Sequence, residues 1–197
     1  SGYHTYMAGK WHLGGVERAL PIHNGFENSF ALINGGASHL NDLPMVGPGA
    51  SEYFNDGVPA PIPDGFYSTE FYANKLIEFI DAKPDDGKPF FAFLAFTAPH
   101  WPLQAPPASI LKQLGRYNSG YEELYTSRLE RLRHLGLVTP ELAQLAKKNF
   151  NPEWDSLSEQ EQRTEARKME IYAAMVADID VSVGKVLDAI AQAGMQD

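Results

Sequence analysis

Residues 89–102 read PFFAFLAFTAPHWP and carry the strongest fold signal in the chain. The first eight of them are almost all apolar, which is typical of a parallel strand that helices cover on both faces. Residues 70–82 repeat apolar side chains at helical spacing, so they predict a helix before this strand, with Ser68 or Thr69 as its cap. A helix followed by a fully apolar strand predicts an α/β fold with a central strand at residues 90–96.

The flanking sequence extends this pattern in both directions. Residues 3–8 predict a short strand, and residues 47–65 predict a surface loop because eight of the nineteen are Gly or Pro. The Thr139-Pro140-Glu141 sequence predicts the start of one helix, and a long helix is expected from about residue 158 to 193. The predicted buried stripe of the long helix consists of Tyr172, Val176, Ile179, Val183, Leu187 and Ile190. Neither end supplies the neighbouring strand of such a sheet, so the pattern predicts an internal piece of an α/β domain.

The composition excludes several kinds of chemistry. The 197 residues contain no cysteine, which rules out disulfides, thiolate metal sites and thiol nucleophiles within them. With 25 acidic against 16 basic residues the net charge is −9, which argues against nucleic acid as a partner. No apolar run approaches the roughly 20 residues that a membrane span needs. A small anionic substrate is compatible with this charge, because a pocket needs only a few local cations.

Three side chains in two loops form the candidate site: Lys10, His12 and His100. Each loop follows an apparent strand, and ligands in open α/β sheets gather beyond the carboxyl ends of strands. Lys10 offers a compact cation, and the two histidines can donate hydrogen bonds or transfer protons near neutral pH. Together they suit a tetrahedral oxyanion such as sulfate or phosphate. On spacing alone, ordinary solvated loop residues remain the alternative, because nothing in the sequence shows that the loops meet.

Two long motifs carry a family resemblance. Residues 2–14, GYHTYMAGKWHLG, resemble the second signature of the sulfatase family, and residues 95–106, AFTAPHWPLQAP, resemble that family's histidine loop. Residues 65–70 and 177–187 are similar to the arylsulfatase branch in the same order and spacing. The resemblance implies an alkaline-phosphatase-like three-layer α/β domain, with a mostly parallel central sheet and flanking helices. It also implies hydrolysis of small-molecule sulfate esters.

The resemblance further implies a role for each candidate residue. Lys10 would bind a sulfate oxygen, and His12 would hydrogen-bond the hydroxyl of the nucleophile. His100 would bind the sulfate near the ester oxygen and could protonate the leaving group. The family's nucleophile is a formylglycine made from the Cys or Ser of a Cys/Ser-x-Pro-x-Arg motif, and a divalent cation, usually calcium, neutralises the sulfate oxygens. This chemistry needs positioned cations and donors in a dry site.

Parts of the family pattern are missing from these 197 residues. None of the fourteen prolines follows a Cys or Ser by two positions, so the nucleophile motif is absent, and the paired metal-binding aspartates are absent too. We therefore expect residues 1–197 to be an internal segment of one sulfatase catalytic domain, inactive alone, with its calcium ligands elsewhere. Within it, residues 65–107 should carry a helix, a strand and the histidine loop, residues 108–165 a helical insertion, and residues 166–194 a long core helix.

Two other functions stay open at this stage. A phosphonate or phosphate monoester hydrolase of the same superfamily would use the same kind of site, because both oxyanions are tetrahedral. A non-catalytic sulfatase-like protein could bind a sulfated ligand instead. A homo-oligomer is compatible with the sequence, and a periplasmic, secreted or cytoplasmic location fits it equally.

The remaining histidines and two tryptophans have less specific signals. We expect His4 to have a packing role, whereas His23 and His39 could line a substrate cleft. Trp11 and Trp101 flank the two site histidines, so each could be an aromatic wall for an aryl group or could support its loop by packing.

Overall fold

Five strands form one mixed sheet in the computed structural model, which describes residues 2–139 and 152–195. The strands are β1 (His4–Lys10), β2 (Asn28–Leu32), β3 (Tyr53–Asn55), β4 (Val58–Pro59) and β5 (Phe90–Ala95), in the order β4-β3-β2-β1-β5. β1 runs parallel to β2 and to β5, whereas β3 is antiparallel to its neighbours β2 and β4. The antiparallel pair β3–β4 lies inside the segment predicted as a surface loop, which is therefore partly a β-hairpin.

Four α-helices accompany the sheet within the described ranges: α1 (Ser68–Asp81), α2 (Pro107–Leu111), α3 (Gly120–His134) and α4 (Glu159–Gln192). Short 3₁₀ turns lie at Glu17–Ala19, Pro21–His23 and Trp154–Ser156. α4 begins as predicted, because Ser158 and Glu161 form a reciprocal capping box. The helix predicted at Thr139-Pro140-Glu141 falls mostly outside the described residues.

The predicted cap of α1 is wrong. Tyr67 occupies the capping position and makes no side-chain capping bond, whereas Ser68 and Thr69 lie buried in the first turn. The Ser68 hydroxyl instead contacts the imidazole of His39 at 2.9 Å. A serine near a helix start is an ambiguous signal, since its hydroxyl can serve a tertiary partner as well as the helix end.

β1, and not β5, is the inner strand of the parallel set. A β-carbon at Gly9 would collide with the carbonyl oxygen of Ala95, so β5 can pair this closely only beside a glycine. β5 lies at the edge of the described sheet, and its Phe91 and Phe93 are 53% and 43% exposed. The prediction of a central, doubly covered strand is therefore wrong for the described residues. Apolar side chains on both faces of a strand do not show whether it lies in the middle or at the edge of a sheet.

Helices cover one face of the sheet and a loop segment covers part of the other, which gives a layered α/β arrangement. One face packs against α1 through the cluster of Tyr6, Ala8, Phe30, Leu32, Tyr72, Leu76 and Ile80. The opposite face packs Met7, Ala31 and Ile33 against Leu20, which lies between the first two 3₁₀ turns. This alternation along β1 and β2 follows from the two-residue period of a strand. α4 lies against α1 as the outer helix of the first face.

The predicted buried stripe of α4 is largely wrong. The helix buries Ala166, Glu170, Ala174, Met175, Ser182 and Val186. The predicted side chains of Tyr172, Val176, Val183 and Leu187 are between 38% and 60% exposed. The side chains of the buried face are mostly small because this face meets the histidine loop and α2 at close range. The face is also partly polar, since Glu170 accepts a hydrogen bond from the Gly115 amide. Among the described residues, no helix is long and apolar enough to cross a membrane.

Candidate active site

Three loops leave the carboxyl ends of β1, β2 and β5 at one edge of the sheet. Lys10 is the last residue of β1 and pairs with Leu32, the last residue of β2, while Gly9 pairs with Ala95 at the end of β5. Because the three strands are parallel, the loops after them must emerge side by side. The register therefore places Lys10 between the two neighbouring loops.

A pair of glycines after β2 joins the two predicted histidines. A β-carbon at Gly35 would lie 2.7 Å from Cε1 of His12, so the His12 ring rests directly on this residue. A β-carbon at Gly36 would lie 3.8 Å from Nδ1 of His100 and 2.9 Å from Sδ of Met45. His12 and His100 thus flank one short turn, and the structure brings the loops together as the candidate site requires. Gly35 and Gly36 were not among the predicted site residues, although two adjacent glycines are a sequence signal for a turn.

Lys10 and His12 present unpaired polar atoms at this edge. Within the described ranges, neither side chain makes a hydrogen bond or ion pair with another residue. Lys10 is half-buried, and His12 is exposed with φ of +50°, a backbone conformation uncommon outside glycine. A half-buried ammonium with no carboxylate partner is suited to an anionic ligand.

His100 has a defined orientation. Its Nδ1 lies 2.7 Å from the carbonyl oxygen of Trp101, and a carbonyl only accepts, so the hydrogen bond assigns a proton to Nδ1. Nε2 is then the nitrogen left for a ligand. It is an acceptor when the ring is neutral and a donor or acid when the ring is protonated.

The loop that carries His100 is held by the helical layer. Ala98 and Ala105, on either side of the histidine, are buried against Ala174 and Met175 of α4. Partly buried apolar residues of the loop, α2 and α4 complete this cluster: Leu103, Ile110, Ile171 and Ile179. Close packing of small side chains leaves the loop little room to shift, which keeps His100 in place.

The two tryptophans that flank the histidines have different roles in the structure. Trp11 donates its indole N–H to the Ala19 carbonyl at 2.7 Å and packs edge-on against Phe26, so it supports its loop. Trp101 is 57% exposed, and its ring centre lies 5.9 Å from that of His100. Trp101 is therefore the tryptophan available as an aromatic wall beside the site.

The other histidines lie away from the ligand side. His4 is buried at the opposite edge, with Nδ1 2.8 Å from Glu27 and Nε2 3.0 Å from Asp86, so its role is structural, as expected, but rests on ion pairs as well as packing. Hydrogen bonds to Glu27 and then Asp86 raise the pKa of His4 above its usual value. His23 is exposed in a 3₁₀ turn. His39 is completely buried and does not line a cleft.

The residues at this edge do not fit a calcium ion. Lys10, His12 and His100 offer an ammonium and imidazole nitrogens, whereas Ca²⁺ takes six to eight oxygen ligands. In the part of the chain that the structure describes, no group of three or more His, Cys, Asp or Glu side chains could hold a metal.

The fold and this edge define an α/β protein whose site suits a tetrahedral oxyanion. The sulfatase family model matches residues 1–197, and the chain belongs to the sulfatase family. It is 42% identical over 197 residues to the arylsulfatase of Klebsiella aerogenes, across 98% of this chain and 42% of that protein. It is also 37% identical over 206 residues to an uncharacterized sulfatase of Schizosaccharomyces pombe, across 100% of this chain and 37% of that protein. The chain thus spans less than half the length of these relatives.

Solved structures share the fold. The crystal structure of Ps i-CgsB in complex with k-i-k-neocarrahexaose matches with a TM-score of 0.63 at 20% identity, over 99% of this chain and 35% of that one. The PsFucS1 sulfatase from Pseudoalteromonas sp. matches with a TM-score of 0.51 at 16% identity, over 98% and 33%. These likenesses confirm the predicted alkaline-phosphatase-like fold class.

Proposed function

We propose that this chain forms the sulfate-binding and leaving-group side of a sulfatase active site that hydrolyses sulfate monoesters, aryl sulfates among them. The observation that carries the proposal is the juxtaposition of His12 and His100 across Gly35 and Gly36, beside the half-buried Lys10. Family membership and the arylsulfatase relative support the choice of sulfate.

Lys10 is proposed to bind a sulfate oxygen. Its ammonium lies at the end of β1 and is without a partner among the described side chains, so a bound anion replaces water and not another protein group. A sulfate ester keeps its negative charge through the reaction, and a fixed cation stabilises that charge without reorganising.

The two histidines are proposed to act on opposite sides of the sulfur. His12 hydrogen-bonds the hydroxyl of the nucleophile and assists breakdown of the sulfated intermediate. His100 uses Nε2 to bind near the ester oxygen and gives its proton to the departing alcohol as the S–O bond breaks. The hydrogen bond from Nδ1 to the Trp101 carbonyl fixes one ring nitrogen and leaves Nε2 for the ligand. Trp101 then offers an apolar surface for an aryl leaving group.

The attacking group and the metal ligands are proposed to come from outside residues 1–197. The sequence contains no cysteine and no Ser-x-Pro-x-Arg motif, so the proposal assigns the formylglycine nucleophile and the calcium ligands to other parts of the protein. The 197-residue segment alone is accordingly proposed to bind sulfate without turning over an ester.

The experiment that tests the reaction compares two substrates with the full-length gene product. We expect hydrolysis of an aryl sulfate to exceed that of the matched aryl phosphonate by about 100-fold or more in kcat/KM, a difference of about 2.7 kcal/mol. Strong preference for the phosphonate would assign the protein to the phosphonate hydrolases instead. Sulfate binding without hydrolysis of either ester would support a non-catalytic binding protein.

Binding of inorganic sulfate to the 197-residue chain tests the site itself. Calorimetric titration is expected to show weaker binding after Lys10→Ala, whereas Lys83→Ala is the matched control. Lys83 lies in the turn after α1, where its ammonium contacts the carbonyl of Pro84. Equal affinity of the two variants would contradict the assigned role of Lys10.

A further inference from the structure

We propose that His39 is a positioning residue that holds the His100 loop in its working conformation, an inference that rests on the proposed function of His100. His39 is completely buried and lies behind the site, so it touches no ligand. Its Nε2 lies 2.9 Å from the carbonyl oxygen of His100, and its Nδ1 lies 2.9 Å from the hydroxyl of Ser68.

The partners of His39 assign its tautomer. The His100 carbonyl can only accept, so Nε2 carries the proton and donates it. Burial lowers the pKa of His39 below its usual value, which favours the neutral ring. Nδ1 therefore accepts from the Ser68 hydroxyl, and both ring nitrogens are satisfied. This arrangement gives the loop one directed hydrogen bond from a side chain that cannot reorient without leaving a buried polar atom unpaired.

A second set of contacts ties the same segment to the other end of the loop. The side-chain oxygen of Gln104 accepts from the backbone amide of His39 at 2.8 Å and from the Ser38 hydroxyl at 3.0 Å. The carbonyl of His39 in turn accepts from the Ser68 amide at 2.9 Å. Residues 38 and 39 thus connect both ends of residues 100–104 to the start of α1.

Two hydrogen bonds to successive carbonyls, those of His100 and Trp101, link His39 to the ring of His100. The carbonyl that His39 holds belongs to the peptide group between His100 and Trp101. The next carbonyl, that of Trp101, accepts from Nδ1 of His100 and sets the plane of its ring. Rotation of the first peptide group would move the second carbonyl and turn Nε2 away from the ester oxygen. Loss of the His39 donor should therefore impair proton donation more than sulfate binding.

Two substitutions separate a donor from mere bulk. His39→Gln can keep an N–H donor near the position of Nε2, whereas His39→Leu fills similar space without a donor. In the full-length gene product, using the ester that the wild type cleaves, we expect His39→Leu to lower kcat about 10- to 100-fold for poor leaving groups, with KM little changed. The loss should shrink for good leaving groups, which need no proton, and His39→Gln should recover most of it.

The dependence of kcat on leaving-group pKa is the decisive readout. A purely structural role would reduce kcat equally for all leaving groups, in proportion to the folded fraction measured by circular dichroism, and that result would overturn the proposal. So would a His39→Gln enzyme as impaired as His39→Leu. If His39→Leu does not fold, Ser68→Ala carries the test, because it removes only the hydroxyl that orients the His39 ring. Ser68→Ala should steepen the same dependence, and a wild-type dependence in that variant would also overturn the proposal.

Preference for phosphonate over sulfate would refute the proposed substrate but leave the His39 test intact, because the leaving-group series can be run with phosphonate esters. An unchanged series in an active sulfatase would refute the role of His39 alone.

Discussion

Single atoms set the geometry of the site at the residue scale. Gly35 and Gly36 allow the turn after β2 to lie against both histidine rings, and either β-carbon would occupy space that a neighbouring side chain now fills. Gly35 does not have a positive φ, so an alanine there is opposed only by contact with His12. Because His12 is exposed, its ring can move aside without disturbing the core.

Gly35→Ala is therefore expected to damage activity more than stability. Displacing the His12 ring should lower kcat of the full-length gene product about 10- to 100-fold. The free energy of unfolding should change by about 0.5 kcal/mol or less, as measured by urea titration. Gly184→Ala is the control, because a β-carbon there meets nothing within 4 Å. Wild-type kcat in Gly35→Ala would contradict the contact, as would a loss of activity explained by unfolding.

At the scale of elements, α4 is the helix that links the core to the site. Its buried face contacts the His100 loop through Ala174 and Met175, while a more apolar stripe lies largely exposed. Hydrophobic periodicity identifies the helix and its ends, but it selects the wrong face. The chosen face is the one whose small side chains permit close approach of the loop and of α2.

Adjacent residues of α4 provide a test of this face. Met175 is completely buried, whereas Val176 is 43% exposed. Met175→Ala should lower the free energy of unfolding of the 197-residue chain by about 2–5 kcal/mol, because it leaves a cavity beside the histidine loop. Val176→Ala should cost well under half as much. Equal losses in urea unfolding, or a larger loss at Val176, would show that α4 buries the stripe predicted from sequence instead.

For the whole molecule, the two edges of the parallel strands serve different purposes. The carboxyl edge carries the candidate site, and the amino edge is tied together by His4 at the start of β1. Glu27 precedes β2 and Asp86 precedes β5, so the imidazole links three strands through two carboxylates. Lys88 also contacts Asp86 at 3.0 Å and adds a second cation to this cluster.

The His4 cluster makes global stability depend on pH. The raised pKa of His4 gives a stabilisation that is complete below its usual value of 6.5 and is lost as the pH rises through the folded-state value. The hydrogen bond from His4 lowers the pKa of Glu27, so its contribution declines as the pH falls below the usual value of 4.5. Hydrogen bonds from Lys88 and then His4 lower the pKa of Asp86, whose contribution declines only below its usual value of 3.8. We expect the free energy of unfolding to be highest between about pH 4.5 and 6.5.

Urea unfolding of the 197-residue chain at pH 6 and pH 8.5, at constant ionic strength, measures this effect. His4→Gln should remove most of the difference between the two pH values. His23→Gln is the control, since His23 is exposed and forms no ion pair with a described residue. A His4→Gln protein with the wild-type pH difference would show that other groups carry the dependence.

Much of the fold and part of the site can be predicted from local sequence. The apolar repeats in residues 70–82 and along residues 158–193 place two helices within a few residues, because periodicity depends on neighbours one turn apart. The apolar run at residues 89–96 likewise places β5. The motifs around Lys10, His12 and His100 indicate the family, which the comparisons confirm.

The amino-acid sequence by itself determined β1, β5, α1, α4, the α/β class and the three side chains proposed for the candidate site, whereas β2 and the β3–β4 hairpin were not predicted. Only the tertiary structure decided that β1 is the inner strand, which face α4 buries, and that Gly35 and Gly36 join the histidines. The tertiary structure also turned His39 from a candidate cleft residue into a buried support for the His100 loop. These features depend on steric fit and hydrogen bonds between residues far apart in the chain, and such contacts produce no periodic pattern in the sequence.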